Sequence, residues 1–317
     1  MATKLINELE AGDSVLSFFV VRSKEMRTRK DGTPFLSLEL GDKSGRIRGT
    51  VWDNAPATNA AIGIGNIVKV KGVVTSYRDE IYINIERVRK AVPDDSVEKG
   101  QFIPTTTADT RILSLRMFSV IDSLKDVHIK KLLHLIFDDI SFKNKYIQAP
   151  AAKLWHQNYL GGLLEHTLQV VDICEKVLSN YRNVKRDILI AGAILHDIGK
   201  VTELSTDGFI DYSEKGRLIG HTVIGHHFVA SKINQITDFP EKVANQLLHL
   251  ILSHHGSQEQ GAPVVPLTLE AIILHCADYL DSQASAFVRI IESEKEPGKT
   301  WSKYVNLINR YIYLGDD

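Results

Sequence analysis

The histidines of this sequence are unevenly placed. Of its 12 histidines, nine lie between residues 166 and 278. Imidazole and carboxylate side chains together suit first-row divalent ions, so this density indicates a metal site. Density alone is a weak signal, because a single histidine on a helix is more often a hydrogen-bonded core or surface residue. A stronger signal is the string His196-Asp197-Ile198-Gly199-Lys200, which follows an apolar segment with helical spacing.

The string places several chemical groups at one helix end. Adjacent residues on a helix point roughly 100° apart, so His196 and Asp197 can both reach an ion beyond that end. A carboxylate has two oxygens and can bridge two ions. Gly199 lets the backbone turn, and Lys200 then places a cation beside the site. The alternative for Lys200 is an exposed lysine that complements the helix dipole.

The first part of the chain predicts a β-barrel. From about Asp13 to Val92, short runs of Val, Ile, Phe and Leu alternate with period 2 and are broken by turn signals. Three strands, a short helix and two further strands follow one another within about 80 residues, which is the order of an OB-fold. The predicted strands are 14–26, 35–40, 46–52, 67–75 and 81–88, and the predicted helix is 54–61.

The rest of the chain predicts helices. A segment from Val92 to Thr107 carries Pro93, Pro104 and three threonines without periodicity, and it is typical of a linker. Beyond Ala108, apolar residues recur at helical spacing. We therefore predict a multidomain α and β protein, with a β-barrel of the OB-fold type followed by an all-α domain. The predicted domains are 1–92 for nucleic-acid binding, 93–108 as linker and 109–317 as the helical metal-dependent domain.

The histidines and aspartates resemble a known signature. The order His166, His196-Asp197, Asp278 is similar to that of the HD-domain phosphohydrolases, and His221 with His254-His255 resembles the extra ligands of their two-metal members. Behind an OB-like domain, these motifs resemble the YhaM-type 3′-5′ exoribonucleases over nearly the whole chain. The segments that carry this resemblance are 161–167, 196–200, 220–226, 253–256 and 274–281.

The resemblance implies a site and a reaction. His166, His196, Asp197 and Asp278 would hold one divalent ion, and Asp197 would bridge to a second ion. The second ion would be held by His221, His254 and His255, the last being the least secure assignment. Asp197 and Lys200 would be the catalytic residues. The implied activity is manganese-dependent removal of 5′-mononucleotides from the 3′ end of single-stranded RNA.

Several points remain open from the residues alone. Their types also allow iron, cobalt or zinc, and single-stranded DNA as a substrate. A nucleotide phosphohydrolase or a cyclic-dinucleotide phosphodiesterase is an alternative, but Gly256-Ser257-Gln258 departs from the Gly-Tyr-Pro element of the latter enzymes. A second alternative is a single-strand-binding protein with an inactive HD domain, although every expected ligand position is kept.

The charge distribution agrees with a nucleic-acid partner. The formal charge of the whole chain is −1, but residues 13–92 contain 14 Lys and Arg against nine Asp and Glu. Strand parity places cations and aromatic rings on the outer face of the barrel, where they would follow phosphates and stack bases. In the alternative, these residues have no role in binding: the tryptophan caps the barrel, and the arginines contact only solvent. The candidate nucleic-acid-binding residues are Phe35, Arg46, Arg48, Trp52 and Tyr82.

Other sequence features concern the cellular setting. Cys174 and Cys276 are too few for a disulfide framework, and their apolar surroundings predict two buried free thiols in a reducing compartment. No apolar run approaches the roughly 18 residues that a membrane span needs. We therefore expect a cytoplasmic protein without a membrane partner. The sequence allows a homo-oligomer but does not determine the oligomeric state.

Overall fold

The structure is a computed structural model that describes residues 4–77, 80–97 and 99–315. The chain separates into two compact units. The first contains the residues up to Thr105 together with Thr206–Ile210, and the second contains Thr106–Ser205 together with the residues from Asp211 on.

The first unit is a closed five-stranded barrel, as the sequence predicts. The strands are β1 Ser14–Thr28, β2 Pro34–Gly41, β3 Arg46–Val51, β4 Ile67–Tyr77 and β5 Glu80–Lys90, and the helix α1 is Ala55–Ala61. The strands follow the spatial order β1-β2-β3-β5-β4, and β1 pairs with β4 to close the ring. The pair β3–β5 is parallel and the other pairs are antiparallel.

Alternation along each strand separates the core from the outer face. On β3, Ile47 and Val51 are 4% and 5% exposed and belong to the barrel core. Arg46 and Arg48, at the intervening positions, are exposed. This period of two is the pattern that identifies the barrel in the sequence, because successive side chains point to opposite faces of a strand.

The second unit is helical. Its helices pack around one apolar core, and a two-stranded β6–β7 pair interrupts them. The helices are α2 Thr110–Asp122, α3 Val127–Phe137, α4 Ile140–Gln148, α5 Gly162–Val177, α6 Arg186–Leu195, α7 Lys200–Glu203, α8 Glu214–Ile219, α9 His221–Ile233, α10 Glu241–Ser253 and α11 Leu269–Glu294, and the strands are β6 Leu204–Ser205 and β7 Asp211–Tyr212. Short 3₁₀ turns occur at Ile6–Glu8, Pro93–Asp95, Lys99–Gln101 and Gln258–Gln260.

The prediction for the cysteines is half wrong. Cys174 is buried in the helical core, whereas Cys276 is exposed. The buried stripe of α11 contains Leu274 and Ala277, and Cys276 lies off that stripe although residues 271–274 and 277 are apolar. Among the described residues, none of the helices combines the length and apolar character that crossing a membrane requires.

Candidate metal centre

The first group of metal-type side chains lies where α5, α6 and α11 meet. His166 is in the first turns of α5, His196 directly follows the last residue of α6, and Asp278 is on α11. His166 Nε2 lies 3.2 Å from His196 Nε2 and 3.2 Å from Asp278 Oδ1. Both imidazoles are fully buried. The consecutive helices α5 and α6 and the distant helix α11 thus bring three donor atoms to one point.

The second group lies at the ends of α9 and α10. His221 is the first residue of α9, while His254 and His255 follow the last residue of α10. His221 Nε2 and His255 Nε2 are 3.2 Å apart. One ligand atom from each of the three histidines lies within 4.8 Å of the other two.

Asp197 lies between the two groups and is 2% exposed. Its Oδ2 is 3.5 Å from His166 Nε2 and 3.4 Å from His196 Nε2. Its Oδ1 is 3.4 Å from His221 Nε2 and 3.6 Å from His254 Nε2. The two oxygens of this carboxylate therefore face different sets of imidazoles.

Each of these five histidines is oriented through its Nδ1 atom. A carbonyl or carboxylate oxygen can only accept, so Nδ1 must be the donor and Nε2 is left for a ligand. His166 Nδ1 donates to Asp281 Oδ2 at 2.7 Å, and His221 Nδ1 donates to Glu203 Oε1 at 2.9 Å. The other three donate to backbone carbonyls: His196 to Ala193, His254 to Ile251 and His255 to Gln260.

The charged groups beside the imidazoles stabilise one another. Burial opposes the charge of Asp197, but Lys200 and His196 hold the pKa of this carboxyl well below its ordinary value. Burial likewise opposes the charge of Lys200, yet Asp197 and Asp278 outweigh it and raise the pKa of the ammonium. Lys200 is only 7% exposed, and its Nζ lies 2.6 Å from Asp197 Oδ2. Lys200 is therefore not an exposed lysine that complements the helix dipole.

The histidines differ in their affinity for protons. Burial lowers the pKa of His254 well below its ordinary value, and burial together with His221 lowers that of His255. Burial also acts against charge on His166, but its contacts with Asp278 and Asp281 prevail and raise the pKa of this ring to about 9. A proton on His166 therefore competes with a metal ion for the same position.

Two glycines allow the helices to meet closely. A Cβ on Gly192 of α6 would lie 2.1 Å from Leu250 Cδ2 on α10. A Cβ on Gly199, two residues after Asp197, would lie 2.0 Å from the carbonyl oxygen of His221. Both distances are shorter than real contacts. At Gly192 the Leu250 side chain would have to shift, whereas at Gly199 the contact is with backbone and only glycine permits it. Gly199 in particular lets α9 begin directly beside the Asp197 turn.

The residues present fit divalent cations. Ligands about 2.1 Å from one ion, at angles of about 90–109°, lie roughly 3.0–3.4 Å apart, which is the spacing of the paired Nε2 atoms. Within the described residues, Asp197 Oδ1 and Oδ2 and His254 Nε2 are buried and have no regular hydrogen bond, although Oδ2 pairs with Lys200. Imidazole nitrogens and carboxylate oxygens are donors that first-row divalent ions accept.

The candidate nucleic-acid residues lie on the outer face of the barrel. The rings of Phe35 and Trp52 have centroids 4.9 Å apart, and both residues are half-buried. Arg48 is the register partner of Tyr82 across β3 and β5, so the two are neighbours. Arg46 and Arg48 are both exposed and form ion pairs with Glu39 and Glu80 respectively. Together with Ile47 and Ile81, these four charged residues line a groove of about 310 Å³.

The structure also identifies residues that sequence reasoning missed. The guanidinium carbon of Arg29 lies 4.0 Å from the centroid of the Trp52 ring. Sequence reasoning missed this contact because Arg29 is in a turn, where side chains do not alternate between two faces. Glu203 orients His221 through both its ring and its backbone N–H. An acidic residue one helical turn after Lys200 was the only signal for Glu203. By contrast, His227 belongs to neither set of imidazoles and is exposed on α9.

Comparisons with known proteins agree with both units. The HD domain family matches residues 163–283, and the family described as OB-fold nucleic acid binding domain matches residues 20–91. The 3′-5′ exoribonuclease YhaM of Listeria welshimeri serovar 6b is 31% identical over 310 residues, covering 98% of each chain. YhaM of Geobacillus sp. is 30% identical over 310 residues, covering 98% of this chain and 94% of that relative.

The chain belongs to the YhaM family of 3′-5′ exoribonucleases. The family and the fold class predicted from the sequence are therefore confirmed. All seven predicted ligand positions lie inside the segment that matches the HD domain. Among solved structures, a domain of replication protein A from Methanococcus maripaludis is 23% identical over 28% of this chain and 94% of its own, with a TM-score of 0.25.

Proposed function

We propose that this member of the YhaM family is a metal-dependent 3′-5′ exoribonuclease that shortens single-stranded RNA and releases 5′-mononucleotides. The observation that carries the proposal is Asp197, a buried carboxylate whose two oxygens face two separate sets of imidazoles. This is the donor arrangement that a two-metal phosphodiesterase requires.

Each set of donors has its place in the proposed centre. His166, His196, Asp197 Oδ2 and Asp278 would hold one divalent ion, while His221, His254, His255 and Asp197 Oδ1 would hold a second. Manganese is the proposed ion, since nitrogen and oxygen donors of this mixture suit it. Bound there, two ions would polarise the scissile phosphate and lower the pKa of a water molecule.

The chain's own groups position the substrate and balance its charge. A cavity of about 320 Å³ adjoins the centre and is lined by Trp155, His156, Lys200, Asp278 and Tyr279, among others. A space of this size takes one small ligand, here the 3′-terminal nucleotide. Lys200 keeps its proton beside Asp197 and stabilises the negative charge that develops on the phosphate.

The barrel would hold the rest of the strand. Cations that follow phosphates and rings that stack bases bind single strands with little dependence on sequence. Phe35, Arg46, Arg48, Trp52 and Tyr82 supply both kinds of group, and Arg29 adds a cation on the Trp52 ring. Duplex ends are poorer ligands for such a surface, because their bases are already stacked on one another.

The direct test uses a 5′-labelled single-stranded RNA incubated with purified protein and manganese. A 3′-5′ exonuclease produces a ladder of shortened labelled products, whereas the opposite polarity releases the label at once. Asp197→Ala should lower the rate by at least about 10³-fold, comparable with the loss of a main electrostatic contact in other enzymes. The exposed His227→Ala is the matched control and should be as active as the parent protein.

Two outcomes would refute the proposed activity. One is RNA that stays intact with manganese present, and the other is an Asp197→Ala variant as active as the parent protein. A single-stranded DNA of the same sequence, run in parallel, measures the preference for ribose. A cyclic dinucleotide and mononucleotides, supplied at the same concentration, test whether small nucleotides are the better substrates.

A further inference from the structure

His156 is a buried histidine that none of the metal-ligand assignments above uses. It lies in the connection between α4 and α5 and is 9% exposed. Its ring centroid is 4.8 Å from that of His166. Among the described residues, neither of its ring nitrogens has a hydrogen-bond partner. Burying two polar atoms without partners is costly, so this ring calls for a ligand.

The donor atoms around His156 identify that ligand as a cation. One ligand atom from each of His156, His166 and Asp197 lies within 4.8 Å of the other two. His166, His196 and Asp278 form a second such trio, and the two trios share His166. His156 therefore belongs to the first metal position and not to the one formed by the histidines of α9 and α10.

The loop that carries His156 is fixed at the next residue. Gln157 has a φ of +32°, which is a strained conformation for a residue with a side chain. Its Nε2 donates to Asp281 Oδ2 at 3.0 Å, the same oxygen that orients His166. A Cβ on Gly162 would lie 2.1 Å from the Gln157 carbonyl oxygen, so α5 must begin with glycine to admit the loop.

Arg289 of α11 holds the loop on both sides of His156. Its guanidinium donates to the Leu154 carbonyl oxygen at 2.9 Å and to Asn158 Oδ1 at 2.7 Å. A loop without a functional role rarely combines a strained residue with so many side-chain contacts. The contacts on both sides keep the imidazole beside His166.

We propose that His156 is a further ligand of the first divalent ion, in addition to His166, His196, Asp197 and Asp278. The inference rests on the proposed function in one respect only, namely that the centre binds divalent ions. It gives the two positions unequal donor sets, because the first would then receive five protein side chains and the second four. The two ions should therefore differ in affinity and in coordination geometry.

The test measures metal binding by metal-free protein and does not depend on activity. Manganese is titrated by electron paramagnetic resonance, which gives the number of sites and their affinities, and the cobalt form is characterised by its visible absorption. We compare His156→Ala, the similarly sized His156→Gln, His166→Ala as a reference for the lost first site, and exposed His227→Ala as control.

Both His156 variants should bind manganese at least about tenfold more weakly at one of two sites and should change the cobalt spectrum. His227→Ala should match the parent protein in both measurements. Circular dichroism of the metal-free proteins monitors folding, and if the alanine variant is unfolded the glutamine variant decides. The assignment would be overturned if the folded variant had the same metal affinities and cobalt spectrum as the parent protein, even if that variant degraded RNA more slowly.

The two proposals fail separately. Protein that loses one metal affinity on His156 substitution but never degrades RNA would refute the exonuclease and leave His156 as a ligand. Metal-free protein that binds neither manganese nor cobalt would refute both.

Discussion

The metal centre and the outer face of the barrel are built in opposite ways. The imidazoles of the centre are buried or half-buried, and each is fixed by a second contact, as His166 is by Asp281. On the barrel, the side chains of Arg48 and Glu80 are 75% and 73% exposed and pair at 3.4 Å. A reaction needs donors held in one geometry, whereas holding a strand of any sequence needs charge and ring faces that adapt.

Removal of the metal ions should have the largest effect. After chelation and dialysis, RNA degradation should be abolished, and the helical unit should lose stability because its donor atoms lose the ions that they would bind. Ligand at about 100 times its dissociation constant stabilises by about 2.7 kcal/mol, which corresponds to a melting temperature lowered by roughly 5 to 10 °C. Calorimetry of the chelated and manganese-restored protein checks both changes. Unchanged melting would mean that the centre holds no structural ion.

Glu203 tests whether orientation of a ligand matters as much as its presence. Glu203→Gln removes the charge that holds His221 Nδ1 and should weaken metal binding by about 10- to 100-fold. Manganese titration measures the loss. Exposed Glu292→Gln, which makes the same chemical change, is the control and should bind as the parent protein does. Equal affinities in both variants would show that His221 keeps its position without the carboxylate.

Trp52 tests the barrel surface. Stacking on an aromatic ring contributes about 1–3 kcal/mol per base, so Trp52→Ala should weaken binding of a single-stranded RNA about fivefold or more. Fluorescence anisotropy of labelled RNA gives the affinity, and metal binding should be unaffected. Trp301→Ala, an exposed tryptophan of the helical unit, serves as control. If both variants bind RNA alike, Trp52 is only a cap of the barrel.

Arg48 should give the smallest effect. It is highly exposed and already paired with Glu80, so Arg48→Ala should lower RNA affinity only about two- to threefold. Its signature is the salt dependence, since losing one phosphate contact reduces the slope of log affinity against log salt by about 0.7 for a single strand. Anisotropy measured at several salt concentrations checks the slope. An unchanged slope would place Arg48 outside the RNA contact.

The sequence predicted those parts of the molecule that local patterns specify. Period-2 alternation on β3, with Ile47 inward and Arg48 outward, depends only on the pleat of one strand. The His196-Asp197 string could likewise be identified as a pair of candidate metal ligands, because adjacent residues at a helix end can reach the same ion. Both kinds of pattern lie within a few residues of chain.

Contacts between distant segments could not be predicted in the same way. Gln157 meets Asp281 across 124 residues, and neither residue type carries a signal that names its partner. The wrong prediction for Cys276 has a related cause, because apolar neighbours do not reveal which side of α11 faces the core. Arg29 lies in a turn, where strand parity gives no information about side-chain direction.

Gly199 lies between the turn that carries Asp197 and the first residue of α9, and its lack of a side chain lets these two segments touch. Because nothing larger than a hydrogen atom fits between its Cα and the His221 carbonyl, α9 begins in contact with the turn that carries Asp197. The 3.4 Å between Asp197 Oδ1 and His221 Nε2 thus depends on this backbone contact as well as on the Glu203 carboxylate. A single methyl group added there would act as a wedge, parting the donors of one ion from those of the other while leaving every ligand in the sequence.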